Sequence, residues 1–488
     1  MRRAITRSAA AVVAVGVGVA VAVTGCQQGV PALPDLASPG AALVSAAVPV
    51  ESGGSAWRSA IQAPHFQTDR DVGAAGIANG LLALADVTED ERERETYVDA
   101  ARQAADFLVG GQEGAPGRWP DYRDPRDIAP MAYTSFDDGA AGIADLLWTM
   151  WERTGDERYR TTALAGVDWV VGEAVGVDDV SCPEMCRWAW SDHATPSYRN
   201  GMGEGQAGIV YALSVFAERT GDARYADHAR GGAAYLESLL DDDGGLAESE
   251  TEAQRNTGYL SGAAGAAYVF LHMYVSTGDP HWLDVARRPL AFLDATATPA
   301  GDDGLSWPIM VDDDSWDETN PHRATGMEEG AAGIGWVYLQ AYAVTGDTHY
   351  LDQARAAGQW LVDVALREQG GAAWAEYEGS DRVHSGLNSG VAGTGWFLHD
   401  LGVATGEAEF STAAQEARRW LVATAVESEP GLSWYGTRVG TEWTLDGEPS
   451  WHWGAAGILA FLARMEGWPV DSPGMQPALP TTRPVRGG

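Results

Sequence analysis

Gly139-Ala-Ala-Gly142 stands at the head of an apolar run, and the same Gly-x-x-Gly tetrad occurs seven times in the chain. The spacing between first glycines runs from 57 residues, between Gly205 and Gly262, to 68, between Gly262 and Gly330. The remaining copies begin at Gly73, Gly390 and Gly454. Self-similarity at such a period is typical of a repeat protein, in which each unit buries its apolar face against its neighbours.

Each tetrad predicts the start of a helix of constant length. In the second copy, Gly155 of Thr-Gly-Asp follows Gly139 by 16 residues, and a landmark stands at the same distance in each of the first six copies. That distance corresponds to about four helical turns and a stop signal. Residues 139–153 are apolar nearly all round, which predicts a buried inner helix, whereas residues 157–171 are amphipathic, which predicts an outer helix.

Long connections separate each outer helix from the next inner helix. They run for about 20 to 35 residues, too long for simple joints, and contain short strand-like segments with tryptophan. Because they emerge at one end of the helices, we expect them to build a binding face there. The whole pattern predicts an all-α (α/α) toroid of seven helical hairpins, in which small residues let neighbouring inner helices approach closely.

The two ends of the chain differ in composition from the repeats. Residues 1–25 combine three arginines with a 15-residue apolar run, which predicts an export signal by the general or the twin-arginine route. The run ends in Val-Thr-Gly-Cys, similar to a lipoprotein cleavage site, and favours lipidation of Cys26 over ordinary cleavage nearby. Residues 26–55 are predicted to be a flexible tether, 56–468 the toroid, and 469–488 a proline-rich disordered tail. We therefore expect an exported protein anchored to the outer face of the cell membrane.

The chain is strongly acidic and contains no lysine, since all 32 basic residues are arginine and the formal net charge is −37. Such a surface repels nucleic acid and anionic lipid headgroups. We therefore expect no nucleic-acid partner, membrane contact through the lipid anchor alone, and a monomer. The acidity reflects either codon bias or adaptation to high salt, which screens self-repulsion.

Besides Cys26, the chain contains Cys182 and Cys186, in Ser-Cys-Pro-Glu-Met-Cys. In an exported protein such a pair predicts a local disulfide. The alternative is a metal site with His193 as third ligand, although the surrounding sequence offers no convincing fourth ligand.

The seven in-phase tetrads, from about Gln62 to Trp468, resemble those of the lanthionine synthetase C-like family. This resemblance implies a seven-fold double ring of helices. The family's cyclases hold zinc with a Cys before the fifth tetrad and a Cys-His pair before the sixth, and the zinc activates a thiolate for addition to a dehydrated Ser or Thr. The matching positions here are Glu328-Glu329 and Asn388-Ser389. Without thiolate or imidazole at these positions, we expect neither zinc nor another cofactor, and no zinc-dependent thioether formation.

Acidic residues precede several tetrads and are doubled at Asp137-Asp138 and Glu328-Glu329. These pairs are about three repeats apart and hence nearly opposite across a seven-membered ring. One interpretation is helix capping, for which Asp138, Ser261 and Ser389 are suitable residues. The other is acid–base chemistry at the mouth of a central cavity. The candidate catalytic residues are Asp137, Asp138, Glu204, Glu328, Glu329 and His452.

Aromatic and polar loop residues are candidates for ligand binding, because tryptophan rings can stack on a sugar or line a pocket. The candidates are Trp119, Trp188, Trp307, Trp374, Trp434, Trp453, Asn388 and His384. The histidines also suggest a metal alternative, since His322, His384 and His452 precede successive tetrads. A three-histidine site would require all three side chains to meet.

Three functions are compatible with the sequence. The chain could be a lanthionine synthetase C-like protein that binds or modifies a peptide in its central cavity without zinc. It could be a glycan-active toroid, either a hydrolase or an epimerase, that uses the facing carboxylates. It could also be a non-catalytic interaction scaffold, since one fold serves many functions.

Overall fold

The computed structural model describes residues 37–59, 66–121, 130–178, 180–193, 195–311, 322–427 and 431–468. Two predicted segments lie outside these ranges, namely the signal peptide with Cys26 and the tail at 469–488. No helix in the described ranges combines the length and the apolar character that crossing a membrane requires.

The described residues form fourteen α-helices in two concentric rings. Even-numbered helices form the inner ring and odd-numbered helices the outer ring, which confirms the (α/α) toroid. The helices are α1 (Ala37–Ser45), α2 (Ala74–Val87), α3 (Glu91–Gly110), α4 (Ala140–Thr154), α5 (Glu157–Gly172), α6 (Gln206–Thr220), α7 (Ala223–Ser238), α8 (Ala263–Thr277), α9 (Pro280–Thr296), α10 (Ala331–Thr345), α11 (Thr348–Val364), α12 (Val391–Thr405), α13 (Ala408–Thr424) and α14 (Ala455–Met465). Each inner helix begins one residue after the first glycine of its tetrad.

The inner helices end as the spacing predicts. From α4 to α12, a glycine in the left-handed conformation follows the last helical residue, and Gly155 has φ of 71°. Glycine adopts this conformation without the steric cost that a side chain adds, so the chain can reverse at once into the outer helix.

The short strands pair antiparallel, most as hairpins within one connection and two as pairings between successive connections. The two-stranded pairs are β1 (Val48–Pro49) with β2 (Ser55–Ala56), β3 (Pro120–Asp121) with β4 (Met131–Ala132), β5 (Val175–Gly176) with β6 (Cys186–Arg187), β7 (Arg255–Asn256) with β10 (Met310–Val311), β8 (Thr298–Ala300) with β9 (Gly304–Ser306), β11 (Leu366–Glu368) with β12 (Gly371–Ala373), and β14 (Val426–Glu427) with β15 (Leu432–Ser433). One sheet has three strands in the order β13 (Arg382–His384), β16 (Tyr435–Val439), β17 (Glu442–Asp446).

The ring closes between the first and last repeats, because α14 packs against α2. No outer helix follows α14 within the described residues, and α1 takes that place by contacting both α14 and α3. The flexible tether predicted for residues 26–55 therefore does not hold from Ala37 onward. The segment is ordered because it supplies the seventh outer helix, and Leu43 is buried in the common core.

Tryptophans fasten the hairpins to the outer helices in a repeated way. The indole Nε1 of Trp57 donates to the carbonyl of Leu43 at the end of α1, at 2.7 Å. Equivalent bonds of 2.7 to 2.8 Å join a tryptophan to an outer-helix carbonyl in five other units: Trp119 to Leu108, Trp188 to Val170, Trp307 to Leu293, Trp374 to Leu361 and Trp434 to Leu421. The presence of this bond at Trp57 identifies α1 and its hairpin as a true repeat unit.

The second glycine of each tetrad is required by the loop that precedes its own helix. A Cβ added at Gly142 would lie 1.9 Å from the carbonyl oxygen of Phe136, and one at Gly457 would lie 1.9 Å from that of Trp451. These are backbone atoms that cannot move aside. Close approach of a loop to its own helix thus adds to the expected close approach of neighbouring inner helices, which is seen where a Cβ at Gly80 of α2 would lie 2.7 Å from the carbonyl oxygen of Ala456 in α14.

Ion pairs link neighbouring inner helices at the end opposite the tetrads. Arg153 contacts Asp86 at 2.6 Å, Arg219 contacts Asp145 at 2.6 Å, and Arg464 contacts Asp400 at 2.7 Å. The tetrads and the strand-bearing connections lie at the other end of the ring, and the candidate functional residues lie there with them.

We predict that Gly142→Ala lowers the free energy of unfolding by about 3 kcal/mol or more, because the new methyl group meets backbone. The matched control is Gly172→Ala at the end of α5, where an added Cβ meets nothing within 4 Å. That control should be neutral or stabilising by up to about 1 kcal/mol. Urea unfolding of both variants measures the difference, and equal stabilities would contradict the close-approach explanation.

Candidate functional site

Seven residues form a closed ring of backbone hydrogen bonds at the tetrad end. Each lies two positions before the first glycine of its tetrad, and its N–H donates to the carbonyl of the equivalent residue in the next repeat, at 2.9 to 3.2 Å. The seventh residue donates back to the first, so the circle is complete. We call these residues the collar: Asp71, Asp137, Gly203, Leu260, Glu328, Asn388 and His452.

A small cavity of about 40 Å³ lies inside the ring next to the collar. Its walls come from four collar residues and from residues one position earlier in the repeats, which we call the neck. The neck residues that line it are Arg70, Tyr259, Met327, Leu387 and Trp451, and the collar residues are Asp137, Leu260, Asn388 and His452. The wall is mostly apolar with a few polar groups, as is typical of small-ligand sites.

Arg70 and Asp137 form a buried ion pair in this wall. Arg70 Nη1 lies 2.6 Å from Asp137 Oδ1, and both side chains are about 95% buried. The guanidinium also lies over the rings of Phe136 and Trp451, at 4.9 and 5.6 Å from their centroids. Arg70 is therefore fixed on three sides, and it neutralises one carboxylate of the collar.

His452 is held by a second carboxylate. Its Nδ1 lies 2.9 Å from Asp71 Oδ1, and its Nε2 lies 3.9 Å from Asp137 Oδ2. Burial alone would lower the pKa of His452, but the charges of Asp137 and Asp71 outweigh burial, so the pKa is raised. The imidazole thus favours its charged form and points Nε2 towards Asp137 at the cavity wall.

Glu328 completes the ionisable part of the collar. Ser389 Oγ donates to Glu328 Oε2 at 3.1 Å. The pKa of Glu328 is raised to about 7, mainly by burial; His452 and Ser389 oppose the rise, and Asp71 and Asp137 add to it. A carboxyl group of this kind exchanges its proton near neutral pH, as acid–base catalysis requires.

Glu329 lies beside Glu328, but it packs against Gly258 and does not line the cavity. Burial and the neighbouring Glu328 raise its pKa well above the usual range, and Ser261 opposes this shift. Its Oε2 is buried without a hydrogen-bond partner among the described residues and packs so tightly on Gly258 that a Cβ there would lie 1.9 Å away. Neither Glu328 nor Glu329 is among the residues that line the cavity, so the expectation that the two share it does not hold.

Asp138 and Glu204 belong to a separate cluster beside the collar. Trp190 Nε1 donates to Asp138 Oδ2 at 3.2 Å, and Arg199 pairs with Glu204. The Arg199 guanidinium lies over the Trp190 ring at 4.4 Å, which joins the two contacts. The five predicted acids therefore do not share one space, since adjacent residues of a repeat point in different directions.

Helix capping does not explain the acids. The N-cap of every inner helix is the first glycine of the tetrad, without a side-chain cap hydrogen bond, so Asp138, Ser261 and Ser389 are not caps. Loop carbonyls satisfy the helix donors instead; for example, Ala140 N donates to the carbonyl of Tyr133 at 2.9 Å. A prediction from residue type alone missed this because the loop folds back on its own helix.

Five of the predicted ligand-binding tryptophans do not reach the cavity. Their side chains are at most 3% exposed, and their indole groups are bonded to outer helices as described above. A buried ring cannot stack on a ligand, so this expectation does not hold for Trp119, Trp188, Trp307, Trp374 and Trp434. Trp453 remains partly exposed and lies 5.4 Å from the ring of His384.

The three loop histidines do not gather around one point. His384 Nδ1 contacts Thr437 Oγ1 at 2.9 Å, His322 lies 4.5 Å from the ring of Tyr377, and His452 contacts Asp71. Within the described ranges, one group of three potential ligands has its atoms within 4.8 Å, namely Cys182, Cys186 and His228. The structure joins these two cysteines in a disulfide with S–S of 2.00 Å.

Sequence reasoning named Asp137, Glu328, Asn388 and His452 as candidates but missed Asp71 and Arg70. The signal for Asp71 was present, because it occupies the collar position of the first repeat. Arg70 carried a comparable signal, since it is the charged member of a neck position that is otherwise apolar or aromatic.

Comparisons with known proteins agree with this architecture. The sequence model of the family described as lanthionine synthetase C-like protein matches residues 196–468. No curated protein sequence matches significantly. The structure of nisin cyclase is similar with a TM-score of 0.54 at 14% identity, over 83% of this chain and 90% of that chain.

Two sugar-converting enzymes share the fold at a comparable level. D-mannose isomerase matches with a TM-score of 0.52 at 12% identity, over 76% of this chain and 98% of that chain. Cellobiose 2-epimerase from Bacillus thermoamylovorans B4167 matches with 0.50 at 13% identity, over 76% of this chain and 100% of that chain.

We predict that Glu328→Gln removes a pH-dependent loss of stability. Because the pKa of Glu328 is raised from 4.5 to about 7 in the fold, its contribution to stability is complete below pH 4.5 and is lost as the pH rises through 7. At pH 8.5 the variant should exceed the wild type by about 1 to 2 kcal/mol, a figure reduced for partial exposure of the carboxyl group.

Urea unfolding at pH 4.5 and 8.5 tests this expectation, and the two proteins should match at the lower pH. Glu409→Gln on the exposed face of α13 is the matched control and should change stability at neither pH. A Glu328→Gln variant that is less stable than the wild type at pH 8.5 would show that the fold favours the charged carboxylate.

Proposed function

Since this chain belongs to the lanthionine synthetase C-like family, we propose that it binds a peptide in the collar cavity and carries out acid–base chemistry there without zinc. One observation carries this proposal: His452 and Asp137 line the cavity, and Glu328, a second group that can transfer a proton, is coupled electrostatically to both of them and to Asp71. The family supplies the expectation of a peptide ligand, and the collar supplies the chemistry.

The residues at the family's zinc positions do not fit that metal. Glu328, Asn388 and Ser389 offer a carboxyl, an amide and a hydroxyl group, whereas zinc in proteins prefers thiolate and imidazole. The Ser389 hydroxyl instead donates its hydrogen to Glu328 at 3.1 Å, which occupies the space between two of the three groups. We therefore derive no step through zinc.

The collar side chains have complementary roles in proton transfer. Asp71 accepts a hydrogen bond from His452 Nδ1, which fixes the ring so that Nε2 is the nitrogen available for exchange. Glu328 can hold or release a proton at neutral pH because its pKa is near 7. A positioned acid–base group of this kind contributes about 10²- to 10⁴-fold to a reaction rate.

The same proposal places the protein outside the cytoplasm, anchored through a lipid on Cys26. Its support is the charged and apolar pattern of residues 1–25 and the Val-Thr-Gly-Cys ending. The Cys182–Cys186 disulfide is consistent with an oxidising compartment.

A peptide ligand is favoured over a glycan by the positions of the tryptophans. The tryptophan rings on which a sugar could stack are buried at five of the six predicted positions. The cavity wall offers Leu260, Met327 and Leu387, which suit an apolar side chain better than a hydroxylated ring.

The full-length protein, its Glu328→Gln variant and the Glu409→Gln control can be incubated with an equimolar mixture of synthetic hexapeptides, and in parallel with an oligosaccharide mixture. We predict that all three proteins retain peptides. Wild type and control should convert some of the peptides to products of different mass or elution time, and Glu328→Gln should lower this conversion at least 100-fold. Liquid chromatography with mass spectrometry measures retention and conversion.

A metal chelator should leave the conversion unchanged. Conversion that depends on about one zinc per chain would overturn the acid–base proposal, as would full conversion by Glu328→Gln. Retention and conversion of oligosaccharides but not peptides would assign the site to the glycan-active alternative.

A further inference from the structure

We propose that Cys182, Cys186 and His228 form a redox-gated binding site for a thiolate-seeking divalent cation such as Zn²⁺. The disulfide between the two cysteines closes the site, and reduction of the disulfide opens it. None of the three residues belongs to the collar, so this site is independent of the proposed function. Three features support it: the distances between the side chains, the hydrogen bond of the imidazole and the packing of the cysteine loop.

The three side chains already lie close to ligating distances. One potential ligand atom from each lies within 4.8 Å of the other two, and the three residues between the cysteines match the spacing of many zinc sites. Around a tetrahedral zinc ion, with Zn–S bonds of about 2.3 Å and Zn–N bonds of about 2.0 Å, neighbouring ligand atoms are about 3.5 to 3.8 Å apart. The imidazole nitrogen therefore needs to move by about 1 Å, and the sulfurs separate once the bond between them is broken.

The imidazole of His228 is oriented as in a metal ligand. Its Nδ1 lies 2.7 Å from the carbonyl oxygen of Arg224, one turn earlier in α7. A carbonyl oxygen only accepts hydrogen bonds, so Nδ1 carries the proton and the lone pair of the neutral ring is on Nε2. Metal-binding histidines almost always donate their second N–H to such an acceptor, which fixes the ring and makes the other nitrogen more basic.

The cysteine loop is held against α7 by contacts other than the disulfide. A Cβ added at Gly231, one turn after His228, would lie 2.3 Å from the carbonyl oxygen of Pro183 and 3.0 Å from Cys186 Sγ. Cys186 also pairs with Gly176 in the hairpin of β5 and β6. Because these contacts involve the backbone, the thiols stay beside His228 after reduction.

The two sulfurs differ in exposure, which gives the cation an entry path. Cys186 is fully buried, whereas Cys182 and His228 are partly exposed. The cation enters from this side and keeps one coordination position for water or for a ligand. Two thiolates and one imidazole favour Zn²⁺ over Mg²⁺ or Ca²⁺. The net charge of −37 attracts cations to the surface.

Opening the site requires an external dithiol. The dithiol loses two electrons and two protons and becomes a cyclic disulfide, while the Cys182–Cys186 bond breaks and both sulfurs become thiols. The cation then displaces both thiol protons, so that two metal–sulfur bonds and one metal–nitrogen bond form and two protons are released. The protein thereby converts a change in the dithiol-to-disulfide ratio of its surroundings into uptake or release of a cation.

Co²⁺ is a direct probe of this site, because tetrahedral coordination by thiolates gives it strong absorption bands in the near ultraviolet and visible range. The full-length protein is titrated with Co²⁺ before and after reduction with dithiothreitol, which is then removed under argon, and Zn²⁺ is tested by competition. We expect the reduced protein to bind one Co²⁺ per chain and to exchange it for Zn²⁺. The disulfide form should bind at least 100-fold more weakly.

Variants assign the ligands. His228→Ala keeps both cysteines and should weaken Co²⁺ binding at least tenfold, with a shift of the visible bands. The double variant Cys182→Ala, Cys186→Ala should abolish binding. The matched controls are His193→Ala and Cys26→Ser, which remove an imidazole or a thiol from outside the site and should have no effect.

Equal binding by the oxidised and reduced proteins would overturn the redox gate. Binding that survives His228→Ala and is lost in His193→Ala would overturn the assignment of the imidazole, and a reduced protein without thiolate absorption bands would overturn the whole site. Because His228→Ala retains both cysteines, it tests the site independently of whether the double cysteine variant folds. None of these outcomes bears on the proposed chemistry of the collar.

Discussion

The seven backbone hydrogen bonds of the collar are the constraint on which the site depends. Each collar residue donates its N–H to the next repeat, and its carbonyl accepts the N–H of the preceding repeat. The bond from His452 N to the carbonyl of Asp71 closes the circle. The bonds fix the backbone of every collar residue regardless of its side chain. The second glycine of each tetrad makes this possible, because it lets the loop before the helix lie directly against the helix.

The collar backbone is fixed independently of the side chains that the collar residues carry. Because the collar bonds use main-chain atoms, its positions can hold Gly203 or Leu260 as readily as an acid. The side chains at four of the positions, with Arg70 from the neck, then decide the charge of the cavity. Here the result is two neutralised carboxylates, one imidazole and one carboxyl group whose pKa is near 7. The charged side chains at these positions therefore differ from zinc ligands, whereas the ring of backbone bonds does not depend on them.

The sequence predicted the inner helices well because their signal is local and repeated seven times. It did not predict α1, since this outer helix precedes the first tetrad and its nine residues include Pro39. It also did not separate Asp137 from Asp138, or Glu328 from Glu329, because residue type does not show which member of a doubled acid belongs to the collar. The tryptophans were misassigned for a similar reason: their partners are carbonyls on helices 11 to 18 residues earlier in the chain.

The central claim is that the collar brings Glu328 into a shared group of charges with Asp71, Asp137 and His452 beside the cavity. The most direct measurement is an NMR titration of the glutamate carboxyl carbons, with Glu328 assigned by the signal that is missing in Glu328→Gln. The account predicts a midpoint close to 7 for this residue. A midpoint close to the ordinary value of 4.5 would show that Glu328 is solvated and independent of Asp71, Asp137 and His452, and would contradict the account.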